Sequence, residues 1–217
     1  MPNKKILEIY HLLFSEFGPQ GWWPAETDFE VIIGAILTQN TNWKNVEKAI
    51  INIKKEKLLT ARKLSKISLS KLECLIKPSG FFRQKAKRIK EFLFFVEKKY
   101  KGSIKKLLSL NKVSLRNELL LQKGIGPETA DSIVLYAAHK PSFVVDAYTK
   151  RIFSRLGLIK ADDYLQVKNF FETNLPSETQ LFKEYHALIV ELAKRHCRKK
   201  PSCSGCPLKK SCKYKFN

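Results

Sequence analysis

Residues 121 to 146 read Leu-Gln-Lys-Gly-Ile-Gly-Pro-Glu-Thr-Ala-Asp-Ser-Ile-Val-Leu-Tyr-Ala-Ala-His-Lys-Pro-Ser-Phe-Val-Val-Asp. Gly124 and Gly126 permit backbone geometry and close approaches that a Cβ would block, and Pro127 suits the first turn of a helix beginning near Glu128. Consecutive amides at a tight turn and helix start form an anion site, for which a nucleic-acid backbone is one occupant. An ordinary connection between two helices is the other reading. A nucleotide-binding glycine loop is excluded: Leu119-Leu120-Leu121 continues a helical pattern, and no Gly-Lys-Ser/Thr ending follows.

Outward from this stretch the chain reads as all-α. Ile6, Ile9, Tyr10, Leu13 and Phe14 form an apolar stripe on an opening helix that ends near Gly18. Asp28 is the expected cap of a helix whose Val31, Ile32, Ile33, Ile36 and Leu37 are core residues. Further helices are predicted near 43–54, 59–66, 70–76, 82–99, 103–109, 112–122, 128–139, 147–156, 162–173 and 178–195. No internal repeat or low-complexity linker marks a boundary, so domain limits must come from topology.

Charge points to an anionic partner. The 217 residues hold 41 Lys and Arg against 20 Asp and Glu, a formal net charge of +21. Such a field favours a polyanion through attraction and counterion release. The start is polar and lacks a signal-peptide pattern, and no charge-free run approaches a membrane span. The expectation is an intracellular protein of the cytoplasm or nucleoid.

Four of the five cysteines, Cys197, Cys203, Cys206 and Cys212, follow the last long helix as C-x5-C-x2-C-x5-C. Four thiolates at such spacing suit zinc or a [4Fe-4S] cluster, and spacing alone leaves both open. Lys194, Arg198, Lys199, Lys209 and Lys210 make the surrounding surface basic. Cys74, within Leu72-Glu-Cys-Leu-Ile76, is expected as buried filling.

The combination of Gly124-Ile-Gly126, Val-Val-Asp ending at Asp146 and the four cysteines resembles the endonuclease III superfamily of helix-hairpin-helix DNA glycosylases over nearly the whole chain. The resemblance implies a six-helix barrel domain over residues 26–136. It implies a second helical domain, 1–25 with 137–217, carrying an iron-sulfur loop, with DNA crossing a cleft between them. It selects [4Fe-4S] over zinc as cofactor, with Cys197, Cys203, Cys206 and Cys212 as ligands, although the first gap is one residue shorter than the commonest family pattern. The partner implied is double-stranded DNA containing a damaged base, bound by a monomer.

The position that carries the Schiff-base lysine in bifunctional members corresponds to Glu128, which cannot attack C1′ as an amine; only nearby Lys123 offers one. Asp146 matches the family's catalytic Asp, where a carboxylate stabilises positive charge on the sugar and orients a water. Without that match, an Asp here reads as a simple N-cap. Gly21-Trp22-Trp23-Pro24 with Ile36-Leu37-Thr38-Gln39-Asn40-Thr41 resembles the monofunctional 3-methyladenine branch. It implies that Trp22, Trp23 and Tyr148 receive an everted base, alkylated purines being the expected substrate. One Trp covering the core is the plainer reading of the pair. By the same resemblance Gln39 enters the space the base leaves and Phe81 wedges into the stack, while Lys123, Gly124, Gly126 and Lys150 hold the backbone. A mismatched or damaged pyrimidine, or a scaffold that only binds DNA structure, are the alternatives.

Overall fold

In the computed structural model, residues 4–160 and 162–214 are described, and among them the regular structure is helical throughout. The helices are α1 (Lys4–Phe17), α2 (Asp28–Leu37), α3 (Trp43–Lys55), α4 (Ala61–Lys66), α5 (Leu69–Ile76), α6 (Phe82–Tyr100), α7 (Ile104–Leu108), α8 (Lys112–Leu120), α9 (Pro127–Ser132), α10 (Ala147–Arg155), α11 (Tyr164–Asn174) and α12 (Thr179–Arg195). No helix among the described residues is long and apolar enough to cross a membrane.

Local signals set most boundaries. Side chains of Thr27, Asn42, Thr60, Ser68, Ser103, Asn111 and Asp163 each accept a hydrogen bond from a first-turn amide, satisfying donors that a helix leaves without internal acceptors. Thr27, not the expected Asp28, caps α2. Asp28 is the first residue of that helix, and its carboxylate lies 3.2 Å from His139 Nε2. Cys74 corrects another expectation, for it is exposed. Leu72 and Ile76, four residues apart, share the buried face of α5, and the intervening Cys74 falls on the other side.

The chain divides into two compact units. One is Trp23–Lys140, with α2 to α9. Its core includes Ile32, Ile33, Val46, Ile53, Ile89 and Leu115. After α9 the backbone widens into a π turn over Ile133–Ala137, all of it buried, so the single helix expected over 128–139 changes its winding midway. In α8, Arg116 donates from Nε to Asp131 Oδ1 at 2.9 Å and from Nη2 to Oδ2 at 3.2 Å. This bidentate pair, its carboxylate fully buried, fixes α8 against α9 across the glycine hairpin.

The other unit comprises α1 and α10 to α12, with the extended segment that begins at Pro141. Phe143 stacks on Phe171 with ring centroids 4.1 Å apart, and Phe153, Phe182 and Tyr185 close around them edge-on. Tyr185 donates to Ile6 O at 2.8 Å, tying α12 to α1. Burial raises its phenol well above the usual range, so it stays a neutral donor. The expectation that this unit is an iron-sulfur-loop domain is overturned: among the described residues no set of three or more His, Cys, Asp or Glu side chains is arranged to hold a metal ion.

Removing the guanidinium from the Arg116–Asp131 pair leaves a carboxylate buried without its partner. Arg116→Leu is expected to cost about 3–5 kcal/mol of stability in urea unfolding. Lys71→Ala, which breaks the exposed Lys71–Glu56 pair at 3.0 Å, should cost less than about 1 kcal/mol.

Candidate active site and nucleic-acid interface

In the unit that contains α10, Asp146 ends the extended segment and is the N-cap of that helix. Upstream, Lys168 Nζ donates to Ser142 Oγ at 2.6 Å and Glu172 Oε1 at 2.7 Å, and Glu172 Oε1 accepts Phe143 N–H at 2.9 Å. Buried Phe143, Val144 and Val145 hold the segment on the core. Its end therefore has little freedom. Asp146 Oδ1 accepts from Thr149 N at 2.7 Å and Thr149 Oγ1 at 2.8 Å. The second oxygen, Oδ2, lies 3.7 Å from His186 Nε2 on α12.

These contacts oppose one another electrostatically. Burial pushes the Asp146 carboxyl up, while its interaction with His186 and the two bonds from Thr149 pull it down further, leaving it below the ordinary carboxylate range. The cap thus takes one oxygen of Asp146 and leaves the other facing His186. His186, buried on a helix whose pattern reads as amphipathic core, was not separable from packing by sequence. Tyr148 is 38% exposed with the Arg151 guanidinium over its ring, 5.1 Å from the centroid. Lys150 pairs with Asp162 Oδ1 at 3.3 Å.

In the other unit, Gly124 adopts φ +82°, and Gly126 caps α9 without a side-chain bond. Lys123, Gly126 and Glu128 are exposed at the hairpin. Gly124 is needed twice over: its φ is left-handed, and a Cβ there would lie 2.6 Å from Arg88 Cδ. Gln39 follows α2 in a turn and is half-buried, its Nε2 donating to Gly124 O and to Thr129 Oγ1, each at 2.9 Å. Arg88 Nη1 donates to Gln39 Oε1.

Phe81 precedes α6 with φ +45° and is 66% exposed. A left-handed backbone is costly for an aromatic residue, and here it holds an apolar ring in solvent at a turn opened by Gly80, φ +67°. Beneath that turn Lys85 is buried, its Nζ donating to Leu37 O at 2.8 Å and Ser79 O at 2.7 Å. Burial and the charge of Arg88 lower Lys85 to about 8, while the two carbonyls make the ammonium the form that fits. The end of α2 and the Phe81 turn are thereby joined.

The two expected base-receiving tryptophans part company. Trp23 packs edge-on against Trp43 and tilted against Tyr136, both centroids at 5.3 Å, and its ring sits where Gly34 leaves space. Trp22 is half-buried and belongs to the other unit. Trp43, which opens α3, was not singled out by its sequence position.

At the terminal loop the [4Fe-4S] expectation, and the metal-ligand role of Cys197, Cys203, Cys206 and Cys212, are corrected. The thiols stand close enough that Cys206 is raised first by burial and then by the other three. Yet they form no metal-holding set among the described residues. Two of them instead engage Arg155: its Nη1 donates to Cys197 Sγ at 3.2 Å, and Cys212 Sγ donates to its carbonyl at 3.7 Å. A guanidinium directed at one sulfur and a backbone carbonyl bound by another are protein-bonded arrangements.

Comparison with known proteins assigns the class. The model of the HhH-GPD superfamily base excision DNA repair protein matches residues 33–177. A protein of Methanocaldococcus jannaschii named "Putative DNA repair glycosylase MJ1434" is 52% identical over 95% of each chain. Endonuclease III of Thermotoga maritima is 34% identical over 87% of this chain and 84% of its own. The thymine/uracil-DNA glycosylase of Pyrobaculum aerophilum is 25% identical over 90% and 84%. Among solved structures, H. pylori 3-methyladenine DNA glycosylase (MagIII) bound to 1,N6-ethenoadenine matches with a TM-score of 0.77 and 33% identity, over 86% of this chain and 96% of its own. The chain belongs to the HhH-GPD superfamily and is a DNA N-glycosylase acting on damaged bases.

The depressed Asp146 carboxyl has a directional consequence. Its folded value lies below the ordinary one, so its stabilising contribution is present above the ordinary carboxylate range and is lost as pH falls through the folded value. His186→Gln removes one cause of the depression. The acid-side loss of stability, followed by circular dichroism, should move to higher pH in that variant, and an unmoved transition would remove His186 from the control of Asp146.

Proposed function

We propose that the enzyme is monofunctional, releasing the base by water attack at the deoxyribose C1′ with Asp146 as the assisting carboxylate. The observation that carries this reading is the setting of Asp146: Oδ1 is held by Thr149, Oδ2 lies 3.7 Å from His186 Nε2, and the carboxylate is kept ionised. As the bond from C1′ to the base nitrogen breaks, its electron pair leaves with the base and positive charge develops on the sugar. A carboxylate stabilises that charge, and the water oxygen then bonds to C1′. The water's proton ends on the departing base, by way of Asp146 or solvent. Glu128, at the position where bifunctional members carry an amine, supports hydrolysis without a covalent imine.

DNA engagement in this reading uses Lys123, Gly124 and Gly126 at the hairpin, Lys150 at α10, and Gln39 and Phe81 as the residues that enter the duplex. The net charge of +21 supports strongly salt-dependent binding. Tyr148, by its exposure, and Trp22 are the aromatic groups offered to a base. Trp23 is fixed within its own unit by Trp43 and Tyr136.

Two base classes have support. The thymine/uracil-DNA glycosylase relative favours a mismatched or damaged pyrimidine. The alkylated purine expected from the tryptophan pair is supported by the likeness to MagIII. A lesion panel in duplex DNA, scoring base release separately from strand cleavage, decides between them, and no release from any lesion would overturn the hydrolytic reading.

Asp146→Asn keeps an oxygen for the α10 cap and removes the charge. It should fold and bind DNA while single-turnover base release falls roughly 10²–10⁴-fold. Wild-type rates in that variant, or a borohydride-trapped protein–DNA adduct in the parent, would contradict the mechanism.

A further inference from the structure

Gln39 is bound on every side that its amide offers. Its NH2 group donates to the hairpin carbonyl of Gly124 and to the hydroxyl of Thr129, and its oxygen receives Arg88. Thr129 is buried in α9, and Arg88 lies along the face of Gly124 that has no Cβ. One helical turn before Arg88, Lys85 grips the carbonyls that end α2 and precede the Phe81 turn. The adjoining backbone is thus firmly held, and the half-buried Gln39 side chain is held by these three hydrogen bonds. A side chain so engaged cannot also occupy a gap in a duplex.

We propose that Arg88 and Thr129 are positioning residues that stow the Gln39 amide against the hairpin in the DNA-free enzyme, and that its release from them is a step of lesion engagement. This rests on the assignment of Gln39 as a residue that enters the duplex. The arrangement has a physical use. An unheld glutamine would sample many rotamers, whereas this one has a single defined start and leaves it only when contacts in the duplex replace the three it gives up. Because one acceptor is the carbonyl of Gly124, a shift of the hairpin on taking up a phosphate changes the hold on Gln39 directly.

The test uses the full chain and a duplex carrying a tetrahydrofuran abasic analogue opposite 2-aminopurine, so it does not depend on which lesion the enzyme excises. Stopped-flow fluorescence of 2-aminopurine reads entry of a side chain opposite it. Thr129→Val removes one acceptor without altering charge and should speed the fluorescence change roughly threefold to tenfold, the equilibrium value of one such hydrogen bond. Arg88→Met should speed the same phase after its weaker DNA affinity is removed by working at saturating protein. In a Gln39→Leu background neither substitution should add anything, since their effect passes through that amide. An unchanged or slower phase in both Thr129→Val and Arg88→Met would overturn the stowing role. A Gln39→Leu enzyme with a wild-type signal would instead overturn the assignment of Gln39 itself.

Discussion

The Arg116–Asp131 pair is the constraint on which the glycine hairpin of the Trp23–Lys140 unit depends. A glycine hairpin has little stiffness of its own, since the residues that let it turn tightly also leave it free. Two parallel hydrogen bonds between a guanidinium and a fully buried carboxylate set the angle between α8 and α9, and the hairpin takes the shape those helices impose. Gly124 is then presented to Gln39 and Arg88, and Thr129 to Gln39. Pairing of buried charges is costly to establish and costlier to break. That asymmetry makes it suited to fixing an orientation.

The other unit solves a similar problem for a single carboxylate. Asp146 is held ionised at a helix start, although burial by itself favours its neutral form. Thr149 supplies two hydrogen bonds to one oxygen and His186 a favourable neighbour for the other, which together outweigh burial. Lys168 and Glu172 secure the strand-like segment that delivers it. A carboxylate has two oxygens, so one serves the cap while the other faces His186.

Much of this was legible because helical periodicity and capping residues are local. The stripes through α1, α2 and α12 and the Gly-Pro start of α9 announce their elements directly. The errors have a common cause, which is that neighbours in space are not neighbours in the chain. Cys74 read as apolar filling because its flanks are apolar, yet it sits on the face of α5 turned from Leu72 and Ile76. The C-terminal cysteine spacing suggested a cluster, whereas the folded loop directs two of its thiols to Arg155.

The sequence by itself determined the helical class and the glycine turn before α9, because helical periodicity and short-range spacing suffice for each. Only the tertiary structure decided that His186 is the neighbour of Asp146 Oδ2, and that Gln39 is held by Gly124, Thr129 and Arg88. Those are contacts across 40 to 90 positions, and their geometry is set by how whole helices pack.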